Sequence, residues 1–104
     1  MALTISAQRY IDEATVAAKL DAQDFVVSVS PEFVVDGWGA VRVITDGHHS
    51  LAAAKIAGVE PEWTTQDARD NDTIAMLDKG LIEDFLITHR IDSDYYDVAT
   101  GSDL

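Results

Sequence analysis

Cysteine is absent from this sequence, which removes disulfides, thiolate metal ligands and cysteine nucleophiles in one step. A reducing compartment is consistent with that, and the expected location is the cytoplasm. No apolar run approaches the ~20 residues that a membrane helix needs. No basic stretch followed by an apolar one opens the chain, so no secretion signal is expected. Cations are scarce as well. Seven Lys and Arg stand against 19 Asp and Glu, a formal net charge of −12.

The acidity is uneven. Residues 1–59 carry 7 acidic and 4 basic side chains, a balance of −3, while residues 60–104 carry 12 and 3, a balance of −9. Binding nucleic acid normally replaces counterions with Lys and Arg, so direct contact with phosphate backbones is disfavoured. A basic protein, a metal ion or a small ligand is compatible with such a surface. So is plain solubility.

What is present suits one domain. The 104 residues are 47% hydrophobic, enough for one core and too apolar for wholesale disorder. Thr4 and Ser6 read as caps for a helix from Ala7 to Leu20, with apolar residues recurring near the helical period. Asp24–Val29 reads as a strand. Phe33–Val35 and Val41–Ile44, joined through Asp36-Gly37-Trp38-Gly39, read as a β-hairpin. Asp46-Gly47 ends that strand, and the alanine-rich run Leu51–Ala57, closed by Gly58, reads as a helix. An edge strand is expected at Val59–Trp63, and a helix near Gln66–Asp70 capped by Thr64-Thr65. Further helices follow at Ile74–Leu77, ended by Gly80, and at Leu81–Ile91. Residues 92–104, with Tyr95 and Tyr96, read as a docked or loose tail.

The segment Val43-Ile44-Thr45-Asp46-Gly47-His48-His49-Ser50-Leu51-Ala52-Ala53-Ala54-Lys55-Ile56-Ala57-Gly58-Val59 resembles the ParB/sulfiredoxin superfamily. That superfamily shows an apolar strand, a glycine-containing turn such as DGHHR or GERR, and a helix ending in glycine. The resemblance covers about 17 contiguous residues and extends more loosely from Ala7 to about Trp63. It implies a compact α/β (α+β) domain, a small mixed sheet with flanking helices. It also implies a nucleotide or other phosphate ligand at the turn, as relatives hold CTP, ATP or ADP there. The sequence departs from the family in three respects. Ser50 stands where many relatives have an arginine, so a bidentate phosphate clamp is lost. The turn has no cysteine, which excludes sulfinic-acid reductase chemistry. The helix-turn-helix and dimerisation regions of partition proteins are not expected in this chain.

The chemistry of the turn stands apart from any family. A strand-turn-helix exposes the first amides of the helix, which carry the positive end of its dipole and hold anions. Gly47 and Ser50 are the candidate ligand-binding residues, with Gly47 permitting close backbone approach. His48, His49 and Asp46 are the candidate acid/base groups for phosphoryl transfer or phosphodiester hydrolysis. Neighbouring helical residues point ~100° apart, so both histidines meet one ligand only if they lie in a turn. Otherwise one packs or caps and the other is solvated. Asp46 is a candidate Mg²⁺ ligand beside a nucleotide, offsetting local acidity, or a helix N-cap. A metal site from Asp46, His48, His49 and His89 has the right donors but no recognised local spacing. Gln8 and Glu13 are candidates to reach the turn, and Glu32 and Asp36 to act as a base. Trp38 reads either as an exposed contact or as packing over the hairpin, and the acidic, aromatic run 92–97 as a Ca²⁺ or partner site or an anchored tail. Two functions follow. One is a phosphate-ligand domain acting at residues 46–50. The other is a non-enzymatic acidic protein that binds a basic partner, imitating the charge of DNA.

Overall fold

The computed structural model describes residues 2–104. Its elements are, in order, β1 (Leu3–Ser6), α1 (Glu13–Ala22), β2 (Val26–Val29), β3 (Phe33–Val35), β4 (Gly39–Asp46), α2 (His48–Ala57), β5 (Glu62–Thr65), α3 (Ile74–Asp78), α4 (Ile82–Thr88) and β6 (Tyr96–Asp97). They form a mixed α/β domain with a six-stranded sheet. Among the described residues no helix is long and apolar enough to cross a membrane.

The longest strand, β4, organises the sheet. The order is β5-β2-β4-β1-β6, with β3 paired to the first half of β4. β1 and β4 run parallel, with Leu3 opposite Val41 and Ile5 opposite Val43. β2 pairs with the second half of β4 antiparallel, and with β5 in parallel. Side chains alternate across a strand, so β4 feeds both faces. Val41 and Val43 enter a core with Ile5, Ile74, Phe85 and Tyr95. Ile44 enters a second core with Val27, Val29 and Leu51. The helices divide accordingly. α3 and α4 cover the first face through Ile74 and Phe85, and α2 covers the second through Leu51, with α1 packed on α2.

The hairpin Phe33–Val35/Gly39–Asp46 forms as its sequence indicates. Trp38 packs over it rather than standing free, its ring 6.0 Å from that of Tyr95. α2 ends at Gly58, whose φ of 69° is the left-handed geometry expected of a glycine past a helix end.

Two expectations are corrected. Residues 7–12 are not helical. Thr4 and Ser6 are strand residues, Thr4 accepting from Arg42 of β4 and Ser6 meeting His48 of α2, and α1 begins only at Glu13. The strand wins because β1 satisfies its backbone on two sides, against β4 and β6. Residues 66–70 are not a helix either. Thr64 and Thr65 complete β5, the edge strand that begins just after Pro61. The Asp67 carboxylate then accepts the amides of Arg69 and Asp70, which makes a turn. Of the two readings of residues 92–104, docked and loose, the structure shows the first. Tyr95 is buried and donates to the Leu86 carbonyl at 2.6 Å, and β6 extends the sheet beside β1.

Candidate functional site

Strand β4 delivers the chain to the N-terminus of α2 through Asp46 and Gly47. Gly47 occupies the N-cap position with φ 94°. A Cβ there would lie 2.5 Å from the Val26 carbonyl oxygen and 2.9 Å from the Val27 Cα. The close approach that Gly47 permits is therefore to strand β2, and it seats α2 against the sheet. Asp46 does not cap the helix. It precedes the cap position, and its exposed carboxylate accepts the Gly47 amide at 2.8 Å. α2 has no side-chain cap, so the amides of His48, His49 and Ser50 begin it without one.

The two histidines diverge, as neighbours on a helix must. His48 is buried under the sheet edge. Its Nε2 lies 3.2 Å from the Tyr96 hydroxyl and 3.5 Å from Ser6 Oγ. The Tyr96 hydroxyl donates its one proton to the Gln8 carbonyl at 2.8 Å, which leaves its oxygen to accept from Nε2. Burial holds the His48 imidazole below its ordinary value, only partly offset by the Gln8 backbone carbonyl. The ring is thus a neutral pin that joins α2 to β1 and β6. His49 points the other way, where its Nε2 accepts the backbone amide of Asp12 at 3.1 Å, immediately before α1. That bond assigns the ring proton to Nδ1.

Both rings nevertheless line one cleft of about 310 Å³, with Asp46, Gly47 and Ser50 on the same wall. Gln8 closes one side, as the sequence suggested. Glu13 faces the groove between α1 and α2 instead. Neither Glu32 nor Asp36 lines the cleft. Thr15, Lys19 and Thr45, which sequence reasoning missed, complete it. Thr15 and Lys19 are four residues apart on α1 and share a face, a signal legible in the sequence. Lys19 brings an ammonium to this cleft. Its Nζ meets Asp24 at 2.9 Å, and the other Asp24 oxygen lies 3.4 Å from the Ser50 hydroxyl. Lys19 holds the Asp24 carboxyl below its usual range. An ammonium has three donors, so the ion pair leaves capacity for a second anion.

His89 lies on the opposite face of the sheet, bonded to Thr73 at 2.8 Å and packed on Phe85. The structure does not bring it to Asp46, His48 and His49. No group of three or more His, Asp or Glu among the described residues is placed to hold a metal ion. The acidic run 92–97 is tied down by the protein itself. Asp92 accepts the amides of Arg9 and Tyr10, and Asp94 pairs with Arg90.

No family model matches the chain, and no curated protein and no solved structure matches it.

Proposed function

We propose that this chain binds a phosphate-bearing ligand, a nucleotide or a smaller phosphate compound, at the start of α2. The reading rests on one observation above the others: an uncapped helix N-terminus opens into a 310 Å³ cleft that also holds the Lys19 ammonium and the Thr15 hydroxyl. Amides, helix dipole and ammonium all favour the same ligand charge. The resemblance of residues 43–59 to ParB/sulfiredoxin proteins points the same way.

Asp46 opposes a bare phosphate but suits one that arrives with Mg²⁺. That ion is commonly held by one or two carboxylates plus the substrate's own oxygens. One oxygen of Asp46 accepts Gly47 and the side chain is exposed, so it is available for that role. Phosphoryl transfer or phosphodiester hydrolysis is the reaction class that Asp46, His48 and His49 would serve. Because both imidazoles already hold protein partners, binding is the firmer part of the reading.

The test is thermal stability with ATP, ADP, CTP and GTP, each with and without Mg²⁺. A ligand at ~100 times its dissociation constant adds about 2.7 kcal/mol, several degrees in a domain of this size. The expected rise needs Mg²⁺ and is lost in Asp46→Ala and Lys19→Gln. No rise with any nucleotide would overturn the reading.

A second reading has its own observation. The acidity of residues 60–104 includes Glu83 and Asp84, exposed on α4 without an ion-pair partner among the described residues. A basic protein partner would meet that surface. Reversing the charges of Glu83, Asp84, Asp92 and Asp94 would then abolish capture of a basic peptide, while Asp46→Ala would leave it intact.

A further inference from the structure

On the far side of the His48 ring from the cleft lies a smaller pocket of about 150 Å³. Its composition runs against that of the chain. The protein has 19 acids and 7 Lys and Arg, yet this wall holds Arg9 and Lys55 and no Asp or Glu. Local concentration of rare cations around a buried polar floor is the pattern of an anion site.

The groups are arranged for it. His48 and Tyr96 form the polar floor, joined by their 3.2 Å contact. The Arg9 guanidinium is stacked over the Tyr96 ring, its carbon 3.9 Å from the ring centroid. Both of its side-chain hydrogen bonds, to the Gly101 carbonyl and to Asp103, leave from one nitrogen. Nε and Nη1 therefore have no protein partner among the described residues. Lys55, two turns along α2 from His48, has no hydrogen-bond or ion-pair partner among them either. The remaining wall is aliphatic, with Ile11, Leu51 and Val98.

We propose that this pocket binds a short aliphatic carboxylate. The carboxylate would lie between Arg9 and Lys55, and its chain against Ile11, Leu51 and Val98. A planar guanidinium matches a carboxylate in two-point contact. The aliphatic wall gains from a hydrocarbon tail and gives an inorganic anion nothing. The volume admits roughly five water-sized groups, which sets the length of the ligand. The internal competitor is Asp103, 80% exposed and 2.9 Å from Arg9. An exposed ion pair of that kind is weak enough to exchange. This site shares only His48 with the phosphate cleft and uses neither the amides that begin α2 nor Lys19, so the two readings are tested separately.

The experiment is a titration of the ¹⁵N-labelled protein with butyrate, followed by amide chemical shifts. Butylammonium and inorganic phosphate serve as controls. The expected result is saturable movement around Leu51, Lys55 and Val98 with butyrate alone. Lys55→Gln, at an exposed and unpartnered position, should weaken binding about tenfold, the weight of one charge-assisted hydrogen bond. Ala52 also lines the pocket, and Ala52→Leu, which fills it without changing charge, should abolish binding. Asp103→Asn should tighten it, and Asp46→Ala should leave it unchanged. Absence of saturable shifts, an equal response to phosphate or butylammonium, or full binding in Ala52→Leu would each overturn the proposal.

Discussion

The two faces of the sheet are built on opposite plans. Beneath α3 and α4 the core is large and aromatic. Phe85 is fully buried and meets Phe33 edge-on at 5.6 Å, with Tyr95 and Trp38 beside them. Beneath α2 the side chains are smaller, and Ala53 and Ala54 let the helix lie close. The helices follow suit, for α3 and α4 have 5 and 7 residues while α1 and α2 have 10 each. Short helices need bulky anchors, because few residues must bury the whole face. Longer helices on small residues leave room at their ends, and the two cavities described above lie on that side. One face is anchored by aromatic rings, and the other carries the two candidate sites.

The comparison is open to breakage, first where the expected effect is largest. Phe85→Ala should cost about 3–5 kcal/mol in chemical denaturation, since the aromatic cluster loses its centre. An equal loss from Leu51→Ala would show that the faces share the load. Gly47→Ala comes next. Left-handed strain alone is worth about 1–3 kcal/mol, and the new Cβ also strikes the backbone of β2. Gly58→Ala meets nothing within 4 Å, so it should cost only the strain. Equal losses at the two glycines would refute the seating of α2 through Gly47.

The third effect is graded by pH. Burial lowers the imidazole values of both His48, on the α2 face, and His89, on the α4 face. A lowered value means that the unfolded chain takes the proton more readily. Stability is therefore complete above the ordinary value near 6.5 and declines as pH falls from there toward the lowered ones. Melting curves from pH 8 to 5 should show that decline, and His48→Gln and His89→Gln should each remove part of it. A decline that survives in the double variant would assign it elsewhere. The smallest effect belongs to Lys19→Gln. Its ion pair is about one-third exposed, so stability should fall by less than about 1 kcal/mol. Under the proposed function its loss of phosphate binding should be far larger than that, which separates the α2 face from the aromatic one.

The legible parts of this protein are the ones governed by near neighbours. The hairpin through Asp36-Gly37, the turn at Gly47 and the stop at Gly58 follow from residues within a few positions. Strand β1 is different. Its four residues become a strand because Val41–Val43 and Tyr96–Asp97 flank them, partners 38 positions away in one case and 90 or more in the other. β5 likewise depends on β2, and Thr64-Thr65 has the form of a helix cap until that pairing is known. The turn 46–50 was visible as a place. The aim of its side chains was not. His48 and His49 are adjacent in sequence, yet one is fixed by Tyr96 and Ser6 and the other by Asp12.

That junction of Ser6, His48 and Tyr96 draws on three stretches of chain separated by 42 and 48 positions. Loops of that length close slowly compared with a helix or a hairpin, because their entropy must be met before the contact contributes. α2 and the β3–β4 hairpin can form early from local contacts. The His48 floor beneath both cavities waits for β6 to arrive. The two proposed ligand sites would then be among the last features to appear during folding, and binding at either would report that the sheet has closed.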